Sequence, residues 1–251
     1  MLPVDNLRRG RKIIATFVLV HGGGHGGWCY KPVAQRLRAR GHEVHAPSLT
    51  GLADRKHLMN PSIDLETHVT DVAQLLEYED LSEVILVGHS YGGMVITGIA
   101  DRVPERVGHR VYLDAAYPVE GESLYEHAYE MIHQAKQGLH EVDGVELVMP
   151  PMPGMAAFFG VTDPQLGAWT DARLTAQPWK CFAQKITFRD ETAMRAIPES
   201  HLICTSTIPG RDMALLDARS EGRVWDIDTG HDLMLTEPDW VTEKLEAIAR
   251  L

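Results

Sequence analysis

The sequence predicts an α/β fold with a mostly parallel central sheet, because strand-like and helix-like segments alternate along much of its 251 residues. The strand-like segments are short apolar runs rich in β-branched residues, as expected for strands that are covered on both faces. The helix-like segments carry apolar residues at intervals of three and four. Ligands bind at the carboxyl ends of the strands in such folds, so we expect functional residues just after strands.

The first half of the chain contributes four predicted strands and three predicted helices. Residues 1–12 are polar and are expected to form an extension ahead of the fold. One helix is predicted at residues 28–40 and another at 64–79, with Asp64 as the N-cap of the second. The third helix follows the segment 84–93. The strands are predicted at residues 13–20, 42–46, 84–87 and 107–113.

The alternation stops between residues 116 and 199, where the chain holds seven prolines and no convincing strand. We predict that residues 117–199 form a helical cap inserted between strands of the sheet. Strands resume at residues 201–205 and 223–227, and a helix at 238–251 closes the chain. The α/β core is therefore predicted to comprise residues 13–116 and 200–251.

The composition is that of a soluble globular protein and disfavours several kinds of partner. Hydrophobic residues make up 44% of the chain and charged residues 24%, which argues against disorder. A formal net charge of −11 repels phosphate backbones and anionic lipids, so neither nucleic acid nor a membrane surface is expected to bind. No apolar run approaches the roughly 18 residues of a membrane-spanning helix.

The cysteines indicate a reduced compartment. Cys29, Cys181 and Cys204 are odd in number and form no Cys-x-x-Cys pair, so they predict neither a disulfide framework nor a zinc site. The amino terminus has no apolar segment of the kind found in signal peptides. We expect a cytoplasmic protein, and the sequence leaves a homodimer open.

The segment Gly88-His89-Ser90-Tyr91-Gly92 has the pattern of a nucleophile elbow. Four aliphatic residues precede it, and a helix-like segment follows it without interruption until Pro104. In such a turn a strained backbone lifts the serine hydroxyl above the edge of the sheet. Ser90 is therefore the predicted nucleophile.

A serine hydroxyl needs a base within hydrogen-bond reach, and that base needs a third group to orient it. His231 lies in a loop between the last predicted strand and the final helix, from which it can reach Ser90. Two carboxylates are candidates for the third group. Asp114 ends the strand after the elbow helix, whereas Asp212 follows a Pro-Gly pair in a loop. We favour Asp114, because a strand end aims a side chain more firmly, and keep Asp212 as the alternative.

The segment from His21 to Gly27 follows the first strand and holds five glycines. Acyl transfer places negative charge on the carbonyl oxygen, and two fixed backbone N–H groups stabilise it. Gly23 in this segment and Tyr91, the residue after the nucleophile, are the predicted donors of this oxyanion hole. A phosphate-binding loop is disfavoured because no Lys-Ser/Thr pair follows the glycines.

Six residues are candidates for contact with the substrate. The apolar character of the predicted cap indicates a small and partly hydrophobic or aromatic group beneath it. For any single cap aromatic, a place in the core of the cap is the competing interpretation. The candidates are Gly22, His25 and Trp28 in the glycine-rich loop, and Phe158, Phe159 and Trp179 in the cap.

Three segments, residues 17–28, 88–93 and 230–234, resemble the α/β-hydrolase superfamily. The pattern His-Gly-x-x-His-Gly-x-Trp in the first of them resembles the branch of plant methylesterases, hydroxynitrile lyases and small bacterial carboxylesterases. The resemblance implies an α/β-hydrolase fold and a Ser-acid-His mechanism, which needs neither a cofactor nor a metal. In this branch the acid usually follows the strand equivalent to 201–205, where this chain has Ser206. That departure also favours Asp114.

Two further departures distinguish an esterase from a lyase. The lyases that this chain resembles carry a threonine where Gly22 stands, and a lysine after the catalytic histidine where this chain has Asp232. A carboxylate there would destabilise cyanide, which disfavours lyase activity. The predicted function is hydrolysis of a small carboxylic ester or lactone through an acyl-enzyme on Ser90. A hydroxynitrile lyase-like or other non-hydrolytic enzyme, and a small-molecule binding protein, are the alternatives.

Overall fold

The computed structural model describes residues 13–251, and the extension predicted at residues 1–12 lies outside them. Six parallel strands form the central sheet in the order β2-β1-β3-β4-β8-β9, and three more form a small antiparallel sheet in the order β5-β6-β7. The strands are β1 Thr16–Val20, β2 Glu43–His45, β3 Val84–His89, β4 Val107–Leu113, β5 His140–Val142, β6 Val145–Val148, β7 Gln177–Pro178, β8 Glu199–Cys204 and β9 Val224–Ile227.

Helices cover both faces of the central sheet, and each face has its own apolar core. None of the helices within residues 13–251 is long and apolar enough to cross a membrane. The helices are α1 Lys31–Ala39, α2 Leu65–Tyr78, α3 Gly92–Arg102, α4 Leu124–His127, α5 Tyr129–Gln137, α6 Met155–Phe158, α7 Pro164–Asp171, α8 Trp179–Ala183, α9 Glu191–Ala196, α10 Met213–Ser220, α11 Leu233–Thr236 and α12 Pro238–Ile248.

The core elements agree closely with the sequence prediction, because their signals are local. Strand β4 has the predicted bounds, and the side chain of Asp64 caps α2 by accepting from the backbone N–H of Thr67. The helix predicted at residues 28–40 begins instead as a 3₁₀ turn over Gly27–Tyr30 and becomes α-helical only at Lys31. The mostly parallel sheet flanked by helices is confirmed.

The region between β4 and β8 contains strands as well as helices, which corrects the prediction of a helical cap without strands. We call residues 117–199 the cap. It holds α4 to α9 and also β5 to β7, which are only two to four residues long. Asp143 and Gly144, with φ of 50° and 79°, form the turn between β5 and β6. Asp-Gly is a characteristic hairpin turn, so these two residues are the feature of the sequence that indicates the hairpin.

Candidate active site

Ser90 lies in the sharp turn between β3 and α3 with a φ of 53°, a value that a residue with a side chain rarely adopts. The turn is tight because strand and helix pass closely: a Cβ atom on Gly88 would lie 2.5 Å from the carbonyl oxygen of Gly92. The carbonyl of Ser90 accepts hydrogen bonds from the N–H groups of Gly93 and Ala116, both at 3.0 Å. These contacts hold the strained turn in place.

His231 and Asp114 meet at the carboxyl ends of the strands. Nδ1 of His231 donates to Oδ2 of Asp114 across 2.5 Å. Asp114 directly follows β4 with a φ of 43°, and its backbone N–H donates to the carbonyl of Leu202 in β8 at 2.7 Å. With Nδ1 bound in this way, Nε2 is the ring nitrogen that remains to accept a proton. His231 lines the same cavity as Ser90.

The loop after β8 supplies donors to Asp114 rather than an acid of its own. Oδ1 of Asp114 accepts from the hydroxyl of Thr207 at 2.5 Å, from Nη2 of Arg211 at 2.9 Å and from the backbone N–H of Cys204 at 3.2 Å. Burial opposes ionisation of Asp114, but the hydrogen bond and charge of His231, with help from Arg211 and Thr207, hold its pKa well below the usual range.

Asp212, the alternative acid, has a different place. Its carboxylate accepts from the backbone N–H of Leu215 at 3.0 Å and caps the start of α10. It does not line the cavity that Ser90 and His231 share. The sequence analysis missed Thr207 and Arg211, although their spacing of four residues, at the point where relatives usually carry the acid, was visible.

His89, which was also not predicted from the sequence, contacts the loop of His231 from the other side. Its Nε2–H donates to the backbone carbonyl of His231 at 3.0 Å. Burial, together with the neighbouring His231, lowers the pKa of His89 to about 3, so the ring is neutral. His89 thereby connects the elbow to the loop that carries the base.

The two predicted oxyanion donors have free N–H groups: within residues 13–251, neither Gly23 nor Tyr91 uses its backbone N–H in a hydrogen bond. The peptide ahead of Gly23 is fixed by His21, whose Nδ1–H donates to the carbonyl of Gly22 at 2.8 Å. Nε2 of His21 accepts from the N–H of Leu49 at 3.0 Å. Burial lowers the pKa of His21 to about 3, which keeps this neutral tautomer.

The cap holds the same loop one residue further on. The side-chain oxygen of Gln177 accepts from the N–H of Gly24 at 3.0 Å, and the N–H of Thr175 donates to the carbonyl of Gly24 at 2.8 Å. Gly24 has a φ of 72°, which glycine adopts without strain. Both polar groups of Gly24 are thus bound by the cap, while the adjacent N–H of Gly23 stays free.

A cavity of about 440 Å³ lies between the cap and the carboxyl ends of the strands. Its walls are mostly apolar and rich in methionine and phenylalanine. Within the described part of the chain, no lysine, arginine, aspartate or glutamate lines it. Its floor carries Gly23, Ser90, Tyr91 and His231, and its apolar wall includes Leu124, Met131, Ile132, Met149, Met152, Met155, Phe158, Phe159 and Phe182.

Three of the six predicted substrate contacts line this cavity, namely His25, Phe158 and Phe159, and three do not. Gly22 lies against Ser90, since a Cβ atom there would be 2.8 Å from Cβ of Ser90. Trp28 stacks on the outer side of His25, with ring centroids 5.4 Å apart. Trp179 is buried in the core of the cap, which is the competing interpretation that the sequence left open.

Asp232 does not line the cavity either. Its carboxylate is buried and lies 2.9 Å from Nε2 of His25. The carboxylate therefore does not face the cavity directly, and its effect on a bound cyanide stays a prediction.

An elbow serine above a parallel sheet, facing a histidine–carboxylate pair, is the arrangement of the serine-type α/β-hydrolases. A sequence profile described as "Alpha/beta hydrolase family" matches residues 17–244. The chain therefore belongs to the α/β-hydrolase family.

Similar proteins indicate the type of reaction. A carbendazim hydrolyzing esterase of Nocardioides sp. (strain SG-4G) is 37% identical over 246 residues, covering 94% of this chain and all of that protein. Methyl jasmonate esterase 1 of Vitis vinifera is 33% identical over 49% of this chain and 47% of its own length. An extracellular α/β-hydrolase from a Paenibacillus species has the same fold, with a TM-score of 0.76 at 23% identity over 93% of this chain and 98% of that one. This chain is an ester-cleaving α/β-hydrolase.

Proposed function

We propose that the protein hydrolyses small, uncharged carboxylic esters through a covalent acyl-enzyme on Ser90, with the cap at residues 117–199 covering the substrate. The observation that carries the proposal is the hydrogen bond of 2.5 Å between Nδ1 of His231 and Asp114, on the rim where Ser90 opens into the cavity. It leaves Nε2 of His231 to act as the base.

In the first half of the reaction, Nε2 of His231 takes the proton of Ser90 while Oγ attacks the ester carbonyl. The N–H groups of Gly23 and Tyr91 bind the oxyanion that forms, because neither group is engaged within the described residues. His231 then gives the proton to the departing alcohol. Asp114 keeps the imidazole in the required tautomer throughout and stabilises its protonated form.

In the second half, His231 activates a water molecule that attacks the acyl-enzyme, and the carboxylic acid leaves. The cavity suits an apolar group, including an aromatic one, since its wall is mostly apolar and rich in methionine and phenylalanine. Methyl esters of aromatic acids and aromatic lactones are accordingly the substrates to try first. Carbendazim belongs in the same panel, because a relative that aligns over nearly the whole chain hydrolyses it.

The test combines covalent labelling with turnover. A fluorophosphonate probe should label the wild type and should not label Ser90→Ala, because the probe reacts only with an activated serine. Ser90→Ala should also lose about 10⁶-fold in kcat against a phenyl or methyl ester. Thr97→Ala, which removes a buried hydroxyl of α3, the helix that follows the elbow, is the control and should keep both properties.

Three outcomes would contradict the proposal. Turnover by Ser90→Ala at the rate of the wild type would exclude Ser90 as the nucleophile. Tight binding of panel compounds without multiple turnover would favour a binding protein, and release of an aldehyde from a cyanohydrin without ester cleavage would favour a lyase.

A further inference from the structure

A buried histidine and a buried carboxylate outside the proposed Ser-His-Asp triad meet behind the cavity. Nε2 of His25 lies 2.9 Å from Oδ2 of Asp232, and Nδ1 of His25 lies 2.8 Å from the carbonyl oxygen of Gly23. At most 1% of either side chain is exposed. A carbonyl and an ionised carboxylate only accept hydrogen bonds, so both nitrogens of His25 carry hydrogen and the ring is an imidazolium.

His25 and Asp232 each stabilise the charged form of the other. Burial by itself would lower the pKa of His25, but the charge of Asp232 and the hydrogen bond to it outweigh burial and raise that pKa. Burial would likewise raise the pKa of Asp232, yet His25 lowers it. Each residue therefore favours the charged form of the other, as the short contact between the two side chains requires of a buried ion pair.

The ion pair joins the two loops that hold the proposed machinery. Asp232 directly follows the base His231, and His25 lies two residues after Gly23. The backbone N–H of Asp232 also donates to the carbonyl of Phe159 in the cap wall at 3.0 Å. The base loop and the oxyanion loop are 207 residues apart in sequence, and this contact fixes one against the other.

We propose that the His25–Asp232 ion pair is a positioning element of the active site: it ties the loop of His231 to the loop of Gly23 and sets the direction of the Gly23 carbonyl. This inference rests on the proposed function, because it assigns those two loops to the base and to the oxyanion hole. His25 and Asp232 act through their neighbours and take no part in proton transfer.

The effect on catalysis follows from the geometry of the glycine loop. His21 fixes the peptide ahead of Gly23, and His25 fixes the peptide after it. Without the second contact, the peptide after Gly23 is held only by the hydrogen bond from the Gly24 N–H to Gln177, and the backbone at Gly23 can shift and displace its N–H from the oxyanion, since glycine has little steric restriction. A misplacement of about 1 Å in an active site can reduce the rate by about 100-fold. Substrate binding to the apolar walls should not change.

Two neutral double variants separate the hydrogen bond to Gly23 from the contact between the loops. In H25N/D232N the amide that replaces the imidazole stands near the position of Nδ1 and can still donate to the Gly23 carbonyl. In H25Q/D232N the longer side chain reaches residue 232 instead, and the Gly23 carbonyl loses its donor. Neither variant leaves an unpaired buried charge, so both should fold.

The expected result is a difference in kcat between these variants at similar thermal stability. H25Q/D232N should lose about 10- to 100-fold in kcat with KM unchanged, and H25N/D232N should stay within about threefold of the wild type. The control is E199Q, which alters the buried Arg110–Glu199 pair at the opposite, amino end of β8. It should lower Tm without lowering kcat.

Equal kcat values in the two double variants would overturn the inference. This holds if both variants keep the kcat of the wild type, and it also holds if kcat and Tm decrease together in both. If either double variant does not fold, a second pair of variants tests the same inference. D232N retains a hydrogen-bonding partner for His25 and should stay within about threefold in kcat, whereas H25L/D232L, which removes both the contact between the loops and the donor to the Gly23 carbonyl, should lose at least about tenfold. Wild-type kcat in H25L/D232L would likewise overturn the inference.

Failure of this inference can be distinguished from failure of the proposed function. If the fluorophosphonate probe does not label Ser90 in the wild type, the proposed function is wrong. If the probe labels Ser90 while the two double variants turn over equally fast, only the positioning role is wrong.

Discussion

Asp114 receives four hydrogen bonds from three separate parts of the chain, namely the base loop, the end of β8 and the turn after it. The donors other than His231 act on Oδ1, so Oδ2 is left to His231 alone. A carboxylate held in this way stays ionised and cannot rotate. At the scale of single residues, the geometry thus favours Asp114 over Asp212 as the partner of His231.

Asp114→Asn should reduce kcat by about 10⁴-fold, because an amide at this position favours the wrong tautomer of His231. Asp212→Asn should keep activity near that of the wild type, since asparagine caps a helix about as well as aspartate. The measurement is the turnover of an uncharged phenyl or methyl ester, with Tm recorded for both variants. Wild-type activity in Asp114→Asn would exclude Asp114 as the orienting acid.

The residues that sequence analysis identified are those with a local signal. Ser90 lies in a five-residue pattern, Asp114 ends a strand, and His231 follows the last strand of the sheet. Arg211 and His89 have no such signal, because their roles depend on contacts 97 and 142 residues away in the chain. A pattern within one segment does not encode such distances.

The ion pair between His25 and Asp232 should give the protein a defined pH range of extra stability. The raised folded pKa of His25 means that its contribution is full below pH 6.5, its ordinary pKa, and is lost as pH rises through the folded pKa. The lowered folded pKa of Asp232 means that its contribution is full above pH 3.8 and is lost as pH falls through the folded pKa. The extra stability should therefore be greatest between these two values.

The measurement is the difference in Tm between the wild type and H25N/D232N across pH. That difference should be largest between pH 3.8 and 6.5 and should shrink on both sides. Other titratable groups close to the pair are present in both proteins, and the part of the difference that comes from their electrostatic interaction with His25 and Asp232 is lost together with the pair; they are His21, Cys29, Tyr30, His89 and His231. A difference in Tm that does not change with pH would contradict the assignment of an ion pair to His25 and Asp232.

At the scale of secondary-structure elements, the cap supports the active site as well as covering it. Gln177, the first residue of the short strand β7, and Thr175 just ahead of it bind both polar groups of Gly24, in the loop that holds Gly23. The side chain of Phe182 in α8 fills the space beside Gly23, where a Cβ atom would lie 2.6 Å from it. Movement of this part of the cap would therefore disturb the oxyanion loop.

Gln177→Leu should lower kcat by about tenfold, because the buried N–H of Gly24 loses its acceptor and the loop is free to turn. The control is Gln184→Leu, which removes another hydrogen bond between cap and core, to the N–H of Glu66 at 3.2 Å. In each variant the free energy of unfolding should decrease by no more than about 3 kcal/mol. Ester turnover and Tm are the measurements, and equal kcat in the two variants would contradict a specific role for Gln177.

The strands of the cap illustrate what the sequence does not reveal. An apolar alternation over four residues, as in Val145–Val148, is too short to distinguish from chance, whereas β3 and β4 are six and seven residues long and fully or almost fully buried. Prolines nearby further obscure the pattern. The core was thus predictable from its long buried strands, and the cap only in its position between strands.

At the scale of the whole molecule, two features disfavour anionic substrates. The formal net charge of −11 acts over long distances. Within the described residues the cavity wall holds no lysine or arginine, and the charge of His25, which lines the cavity, is balanced by Asp232. The two effects differ in their response to salt. Salt screens charges separated by solvent over about 8 Å at physiological ionic strength, but it does not reduce the cost of moving an ion into an apolar cavity.

A matched pair of substrates can measure this discrimination: an aromatic methyl ester with a carboxamide on its ring and the same ester with a carboxylate there. We expect kcat/KM to be at least about 100-fold lower for the carboxylate, which corresponds to about 2.7 kcal/mol of lost transition-state binding. Because desolvation in the cavity dominates, about 0.5 M sodium chloride should recover only a small part of that difference. If salt instead makes kcat/KM equal for the two substrates, the discrimination comes from repulsion by the overall charge of the protein and not from the apolar cavity wall. If both esters are cleaved equally well at low salt, the cavity must admit a charged group, and the proposal of an uncharged substrate is wrong.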